Sequence, residues 1–479
     1  MSKNFLSTAA WLTISILGIL IFLIFPIYAD ENANLASSGQ ISKQINSTIK
    51  GTLIHSPDSI QREIDAAEPG NLLIVESGVY FEEINITKTI SLVGRDTGFG
   101  PPVIDSGGKG SAVTLSADGI SLEGFRIVNS SGTEGNAGLK VTSNKNVIRN
   151  NNIARNNGTG ISLSDSQENE IINNTIIENG LHGISLDYSS SHNKIVKNAV
   201  SRNNASGIGL WNSSNDNLLE GNLVSFNKLG ISLWNDCDQN QMLGNNASQN
   251  DFSGIQIYQG MNSTIAENIA VLNNYSGIAI ISSMKSRIMA NNLSWNKYGI
   301  NMAGTSGDEV SSNQARSNRM QGIKISDSMN LSLKENQMDQ NHEALMVTGS
   351  ESIISYSNNA SFNEVGMAFL DSRLCTIKDN EAFQNGNGMV LVGSSQCILT
   401  SNKIHHNRLE GLALGRSDDN LIQENEILYN YDGIYIDNAI NNSIKSNRAT
   451  GNADHGILLF NNSSHNALVF SFQNNIAIF

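Results

Sequence analysis

Four residues past four consecutive recurring glycines stand Asp187, Trp211, Trp234 and Tyr258, 23 or 24 residues apart. Aromatic rings at a fixed interval suit the apolar C–H faces of sugars, and polar neighbours suit the hydroxyl rim. Asp187, Tyr188, Asn212, Asn235 and Asp236 supply such neighbours. If the first and third residues after each glycine point inward, the second and fourth point outward. Trp211, Trp234 and Tyr258 then form an exposed ladder. Ser185, Gly209, Ser232 and Gln256 lie beside it at the second position, mostly small, leaving the rings accessible. The corners near Tyr188, Asn212 and Asn235–Asp236 each carry one extra residue, which coincides with two of the chain's four tryptophans. The alternative is that stacked aromatics simply stabilise a sheet. Catalysis at this face would need a nucleophile or an acid–base pair. The nearest carboxylates in sequence are Asp187, Asp236 and Asp238, and exposed corner acids are the plainer explanation.

Sulfur and imidazole are sparse. Cys375 and Cys397 replace one recurring asparagine in successive repeats, 22 residues apart. Stacked coils would bring their α-carbons to about 5 Å, within disulfide range. A bond is expected in an oxidising exterior, with a buried thiol pair as the alternative. Cys237 is expected to stay unpaired. The eight histidines are scattered except for His405-His406, and no His-x-His, Cys-x-x-Cys or methionine-rich segment occurs. Soft metals want clustered sulfur or imidazole, so no metal and no cofactor is expected. The formal net charge of −14 shows no basic stripe, which argues against a nucleic-acid partner. Sixteen Asn-x-Ser/Thr sequons follow largely from composition, and a few on the surface could carry glycans in a secreted chain.

The elements that position these residues are repeats. Glycine phrases such as Gly160-Ile161-Ser162-Leu163 and Gly230-Ile231-Ser232-Leu233 recur fifteen times from Gly138 to Gly456, with Ala344 standing once for glycine. Their spacings are 22, 23 or 24 residues. Fourteen asparagine pairs, five apart, run from Asn151/Asn156 to Asn447/Asn452. Between the two lies Ser-x-x-Asn-x-apolar, as in Ser166, Asn169 and Ile171. Three short period-two segments and their corners fill each repeat and leave no room for a helix. A leucine-rich repeat would carry more leucine and one asparagine per turn. The reading is an all-β, right-handed, single-stranded parallel β-helix of about fifteen coils. Asparagine ladders would satisfy one another between coils and take the left-handed backbone that sharp corners need.

Residues 1–29 read as a signal peptide or N-terminal membrane-anchor helix, because Phe5 to Ala29 is uncharged and follows Lys3. Either alternative places the rest outside the cytoplasm, secreted or anchored at the cell surface, with the membrane touched only through this segment. Residues 30–52 read as a linker, and 53–137 as an N-terminal cap with the first irregular coils. Within them Ser59 to Ala67 forms a short amphipathic helix. Residues 138–470 are the regular repeats. Residues 471–479 are a C-terminal cap, with Phe470, Phe472 and Phe479 folding over the last coil; the alternative is an exposed end that favours pairing with another chain.

The phrase Ser59-Ile60-Gln61-x-x-Ile64-Asp65-Ala66-Ala67-x-Pro69-Gly70, with Gly78-x-Tyr80 and Ile104-Asp105, resembles the NosD-like family of β-helix proteins. That family belongs to the carbohydrate-binding and sugar-hydrolysis group of the pectin-lyase-like superfamily. The resemblance spans about residues 53 to 470. It implies the fold, and its name implies copper delivery, which the scattered histidines do not support. Aspartate pairs and calcium-binding acids of pectin-lyase-like enzymes find no matching motif. Three functions remain open. The first is a non-catalytic surface protein that binds polysaccharide or envelope glycan through Asp187, Tyr188, Trp211, Asn212, Trp234, Asn235, Asp236 and Tyr258. The second is a polysaccharide lyase, hydrolase or epimerase. The third is a structural or adhesive envelope protein. The regular coil length favours the first and third.

Overall fold

A computed structural model describes residues 51–469 and the strands Phe472–Gln473 and Ile476–Ile478. The expected signal or anchor, 1–29, and nearly all of the linker lie outside the described residues. No helix among the described residues is long and apolar enough to cross a membrane.

Most repeats form one coil of three strands; in four central coils the third segment pairs only through isolated bridges at Asn246, Ile269, Asn292 and Gln314. The glycine phrase makes sheet 1, as in Thr159–Ser164. The Ser-x-x-Asn-x-apolar phrase makes sheet 2, as in Glu170–Ile172. Residues between the paired asparagines make sheet 3, as in Thr175–Ile177. β-Branched residues alternating with polar ones favour such half-buried strands. Successive coils pair in parallel and in register, with Ile161, Ile184, Ile208 and Ile231 directly above one another. These isoleucines and the leucines two residues on are fully buried and line one continuous core.

Among the described residues sheet 1 has 18 strands, three more than the phrases counted in the sequence. Ile84–Ile86 and Val113–Leu115 stack below the Gly138 coil, and Ile476–Ile478 pairs with Ile457–Leu459 above the last. None of these three strands follows a glycine, so a count of glycine phrases misses them. Phe472–Gln473 likewise pairs with Arg448–Ala449 and extends sheet 3. Helix α1, Ile60–Ala66, stands where the amphipathic pattern predicts. The Ser59 hydroxyl accepts from the Arg62 amide, and the Glu82 carboxylate accepts from the Ile60 and Gln61 amides. Both satisfy donors that a helix start leaves open. Ile60 and Ile64 enter the core.

The asparagines of the ladders are hydrogen-bonded from coil to coil. Asn174 Nδ2 donates to Asn198 Oδ1 at 3.1 Å and to the Ile148 carbonyl at 2.9 Å, and its amide N–H donates to the same Oδ1 at 2.9 Å. The left-handed residue of each corner is not the ladder asparagine but the one before it: Lys197, Arg202, Phe226, Trp295 and Tyr429 all have φ between 55° and 62°. An asparagine turned inward to bond three partners holds the corner, so its neighbour takes the strained conformation whatever its type. The sheet 2 ladder is interrupted. Asn240 is followed by Ser263, Ser286, Asp308, Leu331, Ile353, Cys375 and Cys397 before Asn420 resumes it. All of these are buried.

Candidate functional site

The outer face of sheet 1 carries the aromatic series. Trp211 pairs in register with Trp234, and Trp234 with Tyr258. Ring centroids lie 6.0 Å apart between Trp211 and Trp234 and 5.0 Å apart between Trp234 and Tyr258. His182 extends the strip, its ring 5.3 Å from Trp211. Its Nδ1 accepts from the Ser206 amide at 3.2 Å. Burial lowers the His182 pKa against a smaller opposing pull from Asp187, so the ring is neutral at physiological pH.

The rings are half-buried rather than freely exposed. The small neighbours explain this. A Cβ on Gly209 would come within 2.8 Å of Trp211 Nε1, so the indole lies back along its own strand. Ser232 is fully buried and donates its hydroxyl to Ser206 at 2.8 Å. Small residues at the second position therefore leave room for the indole to fold back over the sheet. Trp234 Nε1 is buried and has no hydrogen-bond partner among the described residues. An indole selected for packing alone normally finds an acceptor.

The extra corner residue has a defined effect. Tyr188–Ser189, Asn212–Ser213 and Asn235–Asp236 are consecutive left-handed pairs, where an ordinary corner such as Asp165 has one. The widened corners stack a second, outer ladder. Asn212 Nδ2 donates to Asp187 at 2.8 Å, and Asn235 Nδ2 donates to Asn212 Oδ1 at 3.2 Å. Tyr188 and Asp236 are exposed. Asp238 accepts from the Met261 amide at 2.7 Å. Asp187 sits two coils from Asp236 and Asp238, and Asp187 and Asp238 each accept from the next coil. The paired positions Cys375 and Cys397 hold free, buried thiols in adjacent coils.

Other groupings escape a reading of the sequence alone. Phe362, Phe383, His405, His406 and Tyr429 form a second aromatic run, with successive centroids 5.1 to 5.9 Å apart. It flanks an open groove of about 570 Å³ that also includes Glu364 and Arg408, an ion pair at 2.9 Å. Asp432, Asp454 and His455 bring one donor atom each within 4.8 Å of one another. His455 Nδ1 lies 3.0 Å from Asp432 and 3.4 Å from Asp454. The repeat length was the available signal, because Asp432 and His455 occupy the same position before successive glycines.

Solved structures with a similar fold are low in identity. The Dettilon tailspike protein is 13% identical with a TM-score of 0.42, over 72% of this chain and 66% of its own. Pectate lyase Pel9A is 15% identical with a TM-score of 0.37, over 51% and 77%. The Azotobacter vinelandii mannuronan C-5 epimerase AlgE6 A-module is 13% identical with a TM-score of 0.35, over 86% and 93%. No curated protein matches the sequence significantly. The family described as periplasmic copper-binding protein (NosD) matches residues 74–252 and 306–477, most of the coiled region. With a family model that matches most of its length, this chain of stacked parallel coils belongs to the NosD family.

Proposed function

We propose that the protein works outside the cytoplasm as a non-catalytic polysaccharide-binding rod, using the outer face of sheet 1. The carrying observation is the in-register series Trp211–Trp234–Tyr258, with His182 in contact at its end, whose rings meet one another in succession and are half open to solvent. Half-open rings present faces on which sugar C–H groups stack. The corner ladder of Asp187, Asn212 and Asn235, with exposed Tyr188 and Asp236 beside it, provides hydroxyl partners along the same edge. Because the rings also cover the sheet, alanine at Trp211 or Trp234 will lower stability as well as binding. Leucine at either site keeps much of the cover and removes the stacking face. Retention of Trp211→Leu and Trp234→Leu on a glycan array is expected to fall at least about tenfold (about 1.4 kcal/mol) with the fold intact by circular dichroism. Unchanged retention refutes the reading. Release of reducing ends or unsaturated uronates from mixed glycans would instead favour the lyase, hydrolase or epimerase alternative.

A second reading concerns metal, because the family description carries copper. Asp432, Asp454 and His455 offer one imidazole and two carboxylates. This donor set fits Zn²⁺ or Cu²⁺ better than Cu⁺, which prefers sulfur. These three residues would hold such an ion. Equilibrium dialysis with Cu²⁺ and Zn²⁺ is expected to show binding that Asp432→Asn and His455→Gln remove. Binding that survives both variants excludes this site.

A further inference from the structure

The three coils that follow the aromatic strip change character. Lys297 Nζ lies 5.3 Å from the Tyr275 ring centroid and 5.1 Å from that of Tyr298. Lys324 Nζ lies 5.5 Å from Tyr298. The two tyrosines meet edge to face at 5.3 Å, with Tyr298 buried beneath both lysines. Arg319, one coil above Lys297, is exposed and donates to the Asn274 carbonyl at 2.6 Å. Among the described residues none of these three cations forms an ion pair.

Some cations of this rod are matched by acids one or two coils away, as in Arg149–Glu123, Arg155–Glu178, Lys194–Glu170, Arg373–Glu351 and Arg408–Glu364. Lys297, Arg319 and Lys324 are instead gathered within three coils around two tyrosines, a local concentration of positive charge on a chain of net charge −14. The lysines are also held in place by ring faces, which favours desolvated cation–π contact and limits the ordering needed on binding.

We propose that Lys297, Arg319 and Lys324, set around Tyr275 and Tyr298, receive the acid groups of an anionic polysaccharide. This inference rests on the reading of sheet 1 as a glycan-binding face and specifies the charge of the ligand. Lys324 stands at the outward second position of the sheet 1 strand Gln321–Ser326, and Tyr275, Lys297 and Arg319 stand at the corners that lead into sheet 1, in the coils directly after that of Tyr258. Seven coils, from Gly183 to Gly322, therefore present rings and then cations over about 30 Å, a length that suits a polymer rather than a single anion.

The test uses the full chain with polygalacturonate, a neutral β-glucan and single-stranded DNA as probes in affinity electrophoresis. Wild type is expected to bind polygalacturonate with an affinity that falls as salt is raised. The triple variant Lys297→Gln, Arg319→Gln, Lys324→Gln is expected to lose at least tenfold in affinity and most of the salt dependence, while neutral-glucan retention stays at the wild-type level. Polygalacturonate binding unaffected by the triple variant overturns the proposal. DNA binding equal in strength and equally lost in the variant also overturns it, by showing an unselective polyanion surface. Retention of the neutral glucan alone overturns the anionic proposal but leaves the glycan-binding reading standing. Failure of every glycan overturns both.

Discussion

Replacing Asp308 by asparagine should stabilise this protein, and only above a defined pH. Asp308 occupies a slot in the sheet 2 ladder that Asn217 and Asn240 fill in earlier coils and Asn420 in a later one. It is 2% exposed. Its Oδ1 accepts from the Ser286 amide at 2.7 Å, as a ladder amide oxygen would. Its Oδ2 is buried and has no partner among the described residues. In the intact slots that place is taken by an Nδ2 donating to a backbone carbonyl, as from Asn240 to Ser214 at 3.0 Å and from Asn420 to Ser394 at 3.1 Å. A carboxylate can donate there only when protonated. Burial accordingly pushes the Asp308 pKa up from 3.8 to about 6, against smaller opposing effects of the Ser286 amide and the Thr305 hydroxyl. The folded state thus binds this proton more tightly than the unfolded chain. Stability is unpenalised below the unfolded pKa, declines as pH rises between the two values, and carries the full deficit above the folded one. The shift corresponds to about 3 kcal/mol at neutral pH. Asp308→Asn removes the ionisation and restores the donor. Urea denaturation followed by circular dichroism should give wild type and variant similar midpoints at pH 3.5. At pH 7.5 the variant should be the more stable by up to about 3 kcal/mol. A variant no more stable than wild type at pH 7.5, or one whose gain is the same at both pH values, refutes the argument.

In the unbroken ladder, Asn291→Ala removes the acceptor of the Asn268 amide N–H and Nδ2 and the donor to Ile265 and Asn313. Stranding several buried groups at about 1–3 kcal/mol each should lower stability by at least about 3 kcal/mol, and an equilibrium denaturation curve within 1 kcal/mol of wild type (about one pair's net worth) would refute it. Cys375 and Cys397 should join under mild oxidation, read as a loss of two hydrogens in intact mass. An unchanged mass, with both thiols open to alkylation after denaturation, would leave them as a thiol pair.

Much of the fold was legible because each coil repeats the same local problem. Isoleucine and leucine at period two and asparagine pairs at one spacing admit few structures, and neighbouring coils must agree on them. The coil count fell short where a strand carried the alternation without its glycine, at Ile84, Val113 and Ile476. The candidate site was legible only in part. Counting from the glycines correctly stacked Trp211, Trp234 and Tyr258. Their exposure was overestimated, because a period-two rule says which side a ring leaves from and not that it then folds back over Gly209 and Ser232. Lys297, Arg319 and Lys324 did not stand out in a chain with no basic stripe, since their proximity exists only after 22- and 23-residue steps have closed into coils.

What residue order alone settles here is periodic: which side chains face the core, which positions stack, and that the stacks are asparagine, isoleucine and aromatic. These follow from alternation and repeat length, which act locally and are copied coil after coil. Tertiary structure decides what differs between coils. It sets how far Trp211 and Trp234 lie open, gives the left-handed corner to the residue before each asparagine, leaves Asp308 with an unmet oxygen, and gathers Lys297, Arg319 and Lys324 around two tyrosines. Each depends on rotamers, burial and charge neighbours drawn from several coils at once, and no single repeat contains that information.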